Sequence, residues 1–248
     1  MKKELVYISI LLIAGCAGVT SPKFEPELVV FSLLMAGNQI PHIKLEQSWS
    51  IEEELPEQGL GMTDAEVEVS TKDTVVSYVP LDDTSGWYIP SITSMEVLPL
   101  ETYQLRVVTK DSMEIFAETT VPDTFSIVSP QEGDTIYKDS LSYLTWKKSA
   151  NAAGYLIAVP FPDTFRVTIT VSANDSIFPI LSFFLSDTGQ CVIKVAALDR
   201  NYYDHISGGS SQGVGVGVGV QDEDTTYMQG GLGVFGSCAV DSVRIYVK

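Results

Sequence analysis

The sequence predicts an all-β protein, two tandem antiparallel β-sandwich domains that follow a secretion signal. Apolar and polar residues alternate with period two, as in Ala65-Glu66-Val67-Glu68-Val69-Ser70, which sends one row of side chains into a core and the other into water. Turn-forming residues recur at a spacing of roughly 8–12 residues, the rhythm of short strands in a sandwich. No comparable helical period appears.

The chain opens with Met1-Lys2-Lys3 and the apolar run Leu5 to Ile13. A bilayer-spanning helix needs roughly 20 apolar residues, so residues 1–15 read as a cleaved signal peptide. The closing Ile13-Ala14-Gly15-Cys16 resembles the lipobox of bacterial lipoproteins. That resemblance implies acylation of Cys16, with the membrane as a partner through the lipid. Ala17-Gly18 offers no acidic retention signal, so the expected location is the outer membrane, with the periplasmic or extracellular face left open. Residues 16–26, with Pro22 and Pro26, read as a lipidated tether.

Composition narrows the partners. Fifteen basic against 32 acidic residues give a net charge of −17, which disfavours nucleic acid and anionic headgroups. A hydrophobic share of 45% is enough to build cores. With Cys16 committed to lipid, Cys191 and Cys238 remain. They either form a disulfide, which an oxidising compartment permits, or stay as two buried thiols; the compartment favours the bond.

The first domain is expected over residues 27–122. Leu28 to Leu34, His42 to Glu46, Ala65 to Ser70, Thr74 to Val79, Gly86 to Ile89, Tyr103 to Val107 and Met113 to Glu118 supply its strands. Their ordering resembles a transthyretin-like, immunoglobulin-like sandwich. The second domain is expected over residues 123–248, with strands at Phe125 to Pro130, Leu141 to Trp146, Ala153 to Val159, Gly189 to Asp199 and Val243 to Val247. A strand ending in Trp146, a turn, then Gly154-Tyr155 resembles a fibronectin type III-like module. Period two places Cys191, Ile193, Val195 and Ala197 on its core face. Residues 200–236 read as a long Gly-rich loop, within which Gly213 to Val220 repeats Gly-Val; an exposed flexible loop is the simpler reading and an edge strand for a partner the alternative.

Segments along the whole chain carry a further resemblance: Glu27-Leu28-Val29-Val30, Asp64 to Val69, Gly86-Trp87-Tyr88, Glu101 to Val107, Thr119-Thr120-Val121-Pro122, Asn201-Tyr202-Tyr203-Asp204 and Gly230 to Gly236. In that order they are similar to the domain-of-unknown-function 4249-type family of Gram-negative outer-membrane lipoproteins, often encoded beside TonB-dependent receptors. The most specific element is Gly230, Gly231, Leu232, Gly233, Val234, Phe235 and Gly236. The resemblance implies no reaction and no cofactor.

Chemical motifs fare poorly on their own terms. Gly231 to Gly236 satisfies G-x-G-x-x-G, but only twelve residues follow, too few for a βαβ unit. Gly209-Ser210-Ser211-Gln212-Gly213 satisfies G-x-S-x-G, yet no histidine follows Ser211; His205 precedes it and His42 lies in the other half. Two histidines and two remaining cysteines make no zinc pattern, and Asp82-Asp83 and Asp222-Glu223-Asp224 lack the spacing of a calcium loop. The expected function is therefore that of a lipid-anchored envelope protein without catalytic activity. It would bind or assist an outer-membrane receptor or a surface glycan. The alternative is a secreted hydrolase using Ser211 or the acidic loops.

Overall fold

In the computed structural model, residues 24–57, 59–160, 166–180, 188–208 and 228–248 are described. The first half contributes β1 (Leu28–Met35), β2 (Ile43–Gln47), β3 (Glu66–Ser70), β4 (Val75–Pro80), β5 (Trp87–Pro90), β6 (Thr102–Val108) and β7 (Glu114–Thr120). Then come β8 (Ile127–Ser129), β9 (Thr135–Ile136), β10 (Ser142–Trp146), β11 (Gly154–Pro160), β12 (Arg166–Ser172), β13 (Ile177–Ile180) and β14 (Gly189–Leu198). A helix, α1 (Arg200–Gly208), and two strands, β15 (Met228–Gln229) and β16 (Leu232–Val247), complete the order. The all-β class is as expected.

Alternation does what period two requires. Val67, Val69, Tyr103, Leu105, Val107 and Ile115 are buried while Glu66, Gln104, Arg106 and Glu114 are exposed. The first core is lined by a single sheet in the order β1-β2-β5-β4-β3-β6-β7-β15, which curls until Thr119 of β7 meets Ser237 of β16. The second core lies between the sheet β12-β11-β14-β16 and the three strands β13-β10-β8, with Trp146, Tyr155, Ile157, Ile193 and Val195 at its centre. Tyr155 packs edge-on to Phe125 and tilted against Trp146, with centroid separations of 5.8 and 5.2 Å.

One strand joins the two cores. The first part of β16 lies parallel to β1, from Val29↔Leu232 to Met35↔Cys238. The rest pairs antiparallel with β14, from Leu198↔Cys238 to Gly189↔Val247, while β9 takes the edge that β1 vacates. Side chains two apart share a face of a strand, so Phe235, Ala239, Val243, Ile245 and Val247 all project from the same side of β16. Phe235 lies in the first core and the others lie in the second. Among the described residues, thirteen strands thus form one sheet.

Three expectations are corrected here. Residues 200–236 are not one long loop: they hold α1, β15 and the start of β16, and only 209–227 lie outside the described residues. The last strand was expected from Val243 but begins at Leu232, because glycine-rich composition masks the pairing of Leu232 to Cys238 with β1. The Cys191–Cys238 disulfide is also overturned, and both cysteines are free. Cys191 pairs opposite Ile245 while Cys238 pairs opposite Leu198, seven positions away on β16 (238 to 245). At about 3.3 Å per residue the two sit about 20 Å apart, far beyond disulfide reach. They also leave the sheet differently: Cys191 packs on the second core, whereas Cys238 shares the opposite face of β16 with Gly236, the side covered by α1.

Candidate functional site

Where the sheet closes, β7, β14, α1 and β16 meet in a buried polar network. Asp199, Thr119 and Ser237 are all within 3% of full burial. Asp199 follows the last residue of β14 and is the N-cap of α1: its Oδ1 accepts from Tyr202 N at 3.0 Å and from Ser237 N at 3.0 Å. Thr119 Oγ1 donates to Asp199 Oδ2 at 2.5 Å, leaving Ser237 Oγ to donate to Thr119 Oγ1 at 2.7 Å. Burial pushes the Asp199 carboxyl above the ordinary aspartate value, even against the pull of the donors around it. Burial and the neighbouring Asp199 likewise push the Cys238 thiol up to about 12, so it is an inert packing group.

The outer edge of β7 is closed by β15 and by two asparagine side chains. Gln229 and Met228 of β15 pair with Phe116 and Ala117. Farther along, Asn201 Nδ2 donates to Glu118 O at 2.7 Å and Asn151 Nδ2 to Thr120 O at 2.7 Å. Asn201 also reaches Phe235 O at 2.8 Å, tying β7 to β16. An edge whose carbonyls are spoken for is not a template for a foreign strand. A polar cleft of about 350 Å³ beside it is lined by Thr120, Asn151, Arg200 and Asn201.

The glycine motif belongs to this seam. At Gly230 and Gly233, with φ of +83° and +106°, a Cβ would overlap the Glu114 and Val30 carbonyl oxygens. A Cβ on Gly231 would sit 2.6 Å from Ile115 Cδ1, and one on Gly236 2.8 Å from Tyr202 Cβ. Leu232 starts the ladder opposite Val29, and Phe235 fills the first core. The motif is a packing device, and G-x-G-x-x-G here is a strand against its neighbours.

The outer face of the first sheet is different. Glu68, Arg106, Phe116 and Gln229 form one cross-strand row over β3, β6, β7 and β15. Ser70, Gln104 and Glu118 form the row beside it. Together with Val75 they line a groove of about 660 Å³. Phe116 is 44% exposed, an aromatic ring where the alternation calls for a polar residue. Two planar pairs flank it: Gln104 Nε2 donates to Glu118 Oε2 at 2.8 Å, and Arg106 Nε to Glu114 Oε1 at 2.9 Å. Such exposed pairs add little stability but hold their side chains in one orientation.

The sequence candidates scatter. Cys16, Ser211, the Gly-Val repeat 213–220 and Asp222-Glu223-Asp224 lie outside the described residues. His42 is exposed on the first half; His205 sits half-buried on α1, where burial pushes its pKa down. Asp82 accepts from Ser85 N at 2.6 Å and Thr84 N at 2.9 Å, and hydrogen bonds from Ser85 and Thr84 hold its carboxyl down to about 2; it fastens a turn. Among the described residues no group of three or more His, Cys, Asp or Glu is placed to hold a metal. Sequence reasoning missed Asp199 and Phe116. An Asp before Arg200 and a Gly at 208 are helix start and stop signals, and Phe116 stands out of phase in Glu114-Ile115-Phe116-Ala117-Glu118.

Comparison with known proteins follows this geometry. The profile of a family described as Domain of unknown function (DUF4249) matches residues 19–244. The chain belongs to that family. Its solved structural neighbours are fibronectin type III-like and immunoglobulin-like. The fibronectin(III)-like modules of Clostridium thermocellum CbhA are similar at 16% identity, with 90% of this chain and 94% of that chain covered and a TM-score of 0.30. A two-domain fibronectin type III segment of chicken tenascin gives 12% identity over 70% of this chain and 91% of that one, with a TM-score of 0.25. No curated protein matches the sequence.

Proposed function

We propose that this member of the family is a lipid-anchored cell-envelope protein that binds or assists rather than catalyses, working beside an outer-membrane receptor or a surface glycan. The observation that carries the reading is the groove of about 660 Å³ around Phe116, a concave surface of paired polar side chains and one exposed ring on an otherwise rigid sheet. The cores form two sandwich units, residues 27–122 and 123–248, that share β16. Acylation at Cys16 would place the start of β1 at the membrane side. Because β16 runs parallel to β1 and continues past it, its sixteen residues, about 50 Å at 3.3 Å each, carry the second unit outward.

Three measurements test this. Replacing Cys16 with Ser should remove the acyl mass and release the protein from the membrane fraction. Immobilised protein should retain material from solubilised outer membrane, and the doubly substituted Phe116→Ala, Gln104→Ala protein should not. Turnover of ester, peptide or glycoside substrates by the purified protein would overturn the non-catalytic reading.

A further inference from the structure

We propose that the groove on the outer face of β3, β6, β7 and β15 is a binding site for a neutral oligosaccharide; this rests on the binding role above and names its ligand class. The chemistry of the lining excludes the other classes in turn. Glu68 and Glu118 line the groove, and the guanidinium of Arg106, the one cation among the described lining residues, is committed to Glu114. An anionic ligand would meet two lining carboxylates and one cation already paired. A fully apolar ligand would strip water from those carboxylates without replacing the lost hydrogen bonds. An extended peptide gains its affinity by adding a strand to an open edge, but here the neighbouring edge of β7 is taken up by β15, Asn201 and Asn151. The backbone groups of β3 and β6 are spent within the sheet.

A pyranose ring fits what remains. One of its faces is carbon-bound hydrogen, which stacks on an exposed aromatic ring, and its rim is hydroxyl, each both donor and acceptor. Phe116 supplies the ring at 44% exposure. Glu118, Gln104, Ser70 and Glu68 supply acceptors and donors on the surrounding positions of the two rows. The Gln104–Glu118 and Arg106–Glu114 bonds fix those planar groups before a ligand arrives, so little side-chain freedom is lost on binding. The groove is long enough across four strands, at about 4.8 Å per strand, to seat more than one sugar unit.

The test is a ligand-observed saturation-transfer NMR titration of the detergent-solubilised full-length chain with short neutral gluco-, manno- and galacto-oligosaccharides. Acidic oligosaccharides and a set of unstructured peptides serve as the other arms. The expected result is transfer from at least one neutral sugar, unaffected by added salt. Phe116→Ala should weaken affinity by about tenfold or more and Gln104→Ala by less, with melting temperatures unchanged. Transfer from no neutral sugar, binding that survives Phe116→Ala, or preference for the acidic sugars or peptides would overturn the inference. If the groove substitutions abolish capture of a membrane protein while no sugar binds, the binding role stands and the ligand class falls; if neither is seen, both fall.

Discussion

The two faces of β7 show opposite uses of the same period-two pattern. On the inward side Ile115, Ala117 and Thr119 end in a seam where the carboxylate, the hydroxyls and the side-chain amides of the network are hydrogen-bonded and four glycines leave no space for a methyl group. On the outward side Glu118 and Glu114 accept only sideways, from Gln104 and Arg106, and the ring of Phe116 lies under open volume. The surface that holds the fold has its polar groups satisfied from all sides, whereas the face proposed for binding is satisfied laterally and left uncovered above. Asp199 and Phe116 are the clearest single examples of each.

Substitutions should separate the two regions by size of effect. The largest loss is expected at Gly233→Ala, where a Cβ meets the Val30 carbonyl oxygen in a left-handed conformation; about 3 kcal/mol or more should disappear from the denaturant-unfolding free energy. Asp199→Ala comes next at about 2–4 kcal/mol, since Ser237 N, Tyr202 N and the Thr119 hydroxyl lose a buried acceptor. Asn201→Ala, which frees the Glu118 and Phe235 carbonyls, should cost about 1–2 kcal/mol. Phe116→Ala should stay within about 0.5 kcal/mol, because the ring is 44% exposed.

Asp199 also gives the comparison a pH axis. Its folded pKa is raised, so the folded chain holds the proton more tightly than the unfolded chain does. Its contribution is fully present below the ordinary aspartate value of 3.8 and is lost as pH rises through the raised folded value. The stability of the native protein relative to Asp199→Asn should therefore be greatest in acid and decline towards neutrality across that window. A difference that is flat with pH would place the carboxylate outside the buried network.

The outward face was legible to the extent that alternation placed Glu66, Glu68, Gln104, Arg106, Glu114 and Glu118 in water, and the twelve strands expected from pattern all appear. β12 went unrecognised although Val167-Thr168-Ile169-Thr170-Val171 alternates with period two, β13 is a short run interrupted by Pro179, and the two-residue β9 and β15 are too short for a period to show. The seam was hidden for another reason. Glycine carries no hydropathy signal, so the stretch from Gly230 to Gly236 read as loop although each glycine is dictated by a neighbour distant in sequence, Glu114, Ile115, Val30 or Tyr202. Alternation puts Cys238 on the opposite face from Val243, Ile245 and Val247; what it does not supply is the β14–β16 register, which separates the cysteines along the strand.

The proposed division of labour has the seam hold the fold and the open face bind. Capture of outer-membrane material per folded molecule, measured side by side for the native protein, Asn201→Ala, and the Phe116→Ala, Gln104→Ala double variant, tests it directly. Asn201→Ala should show a lowered melting temperature with capture retained, and the double variant a native melting temperature with capture lost. Undiminished capture by the double variant would contradict it.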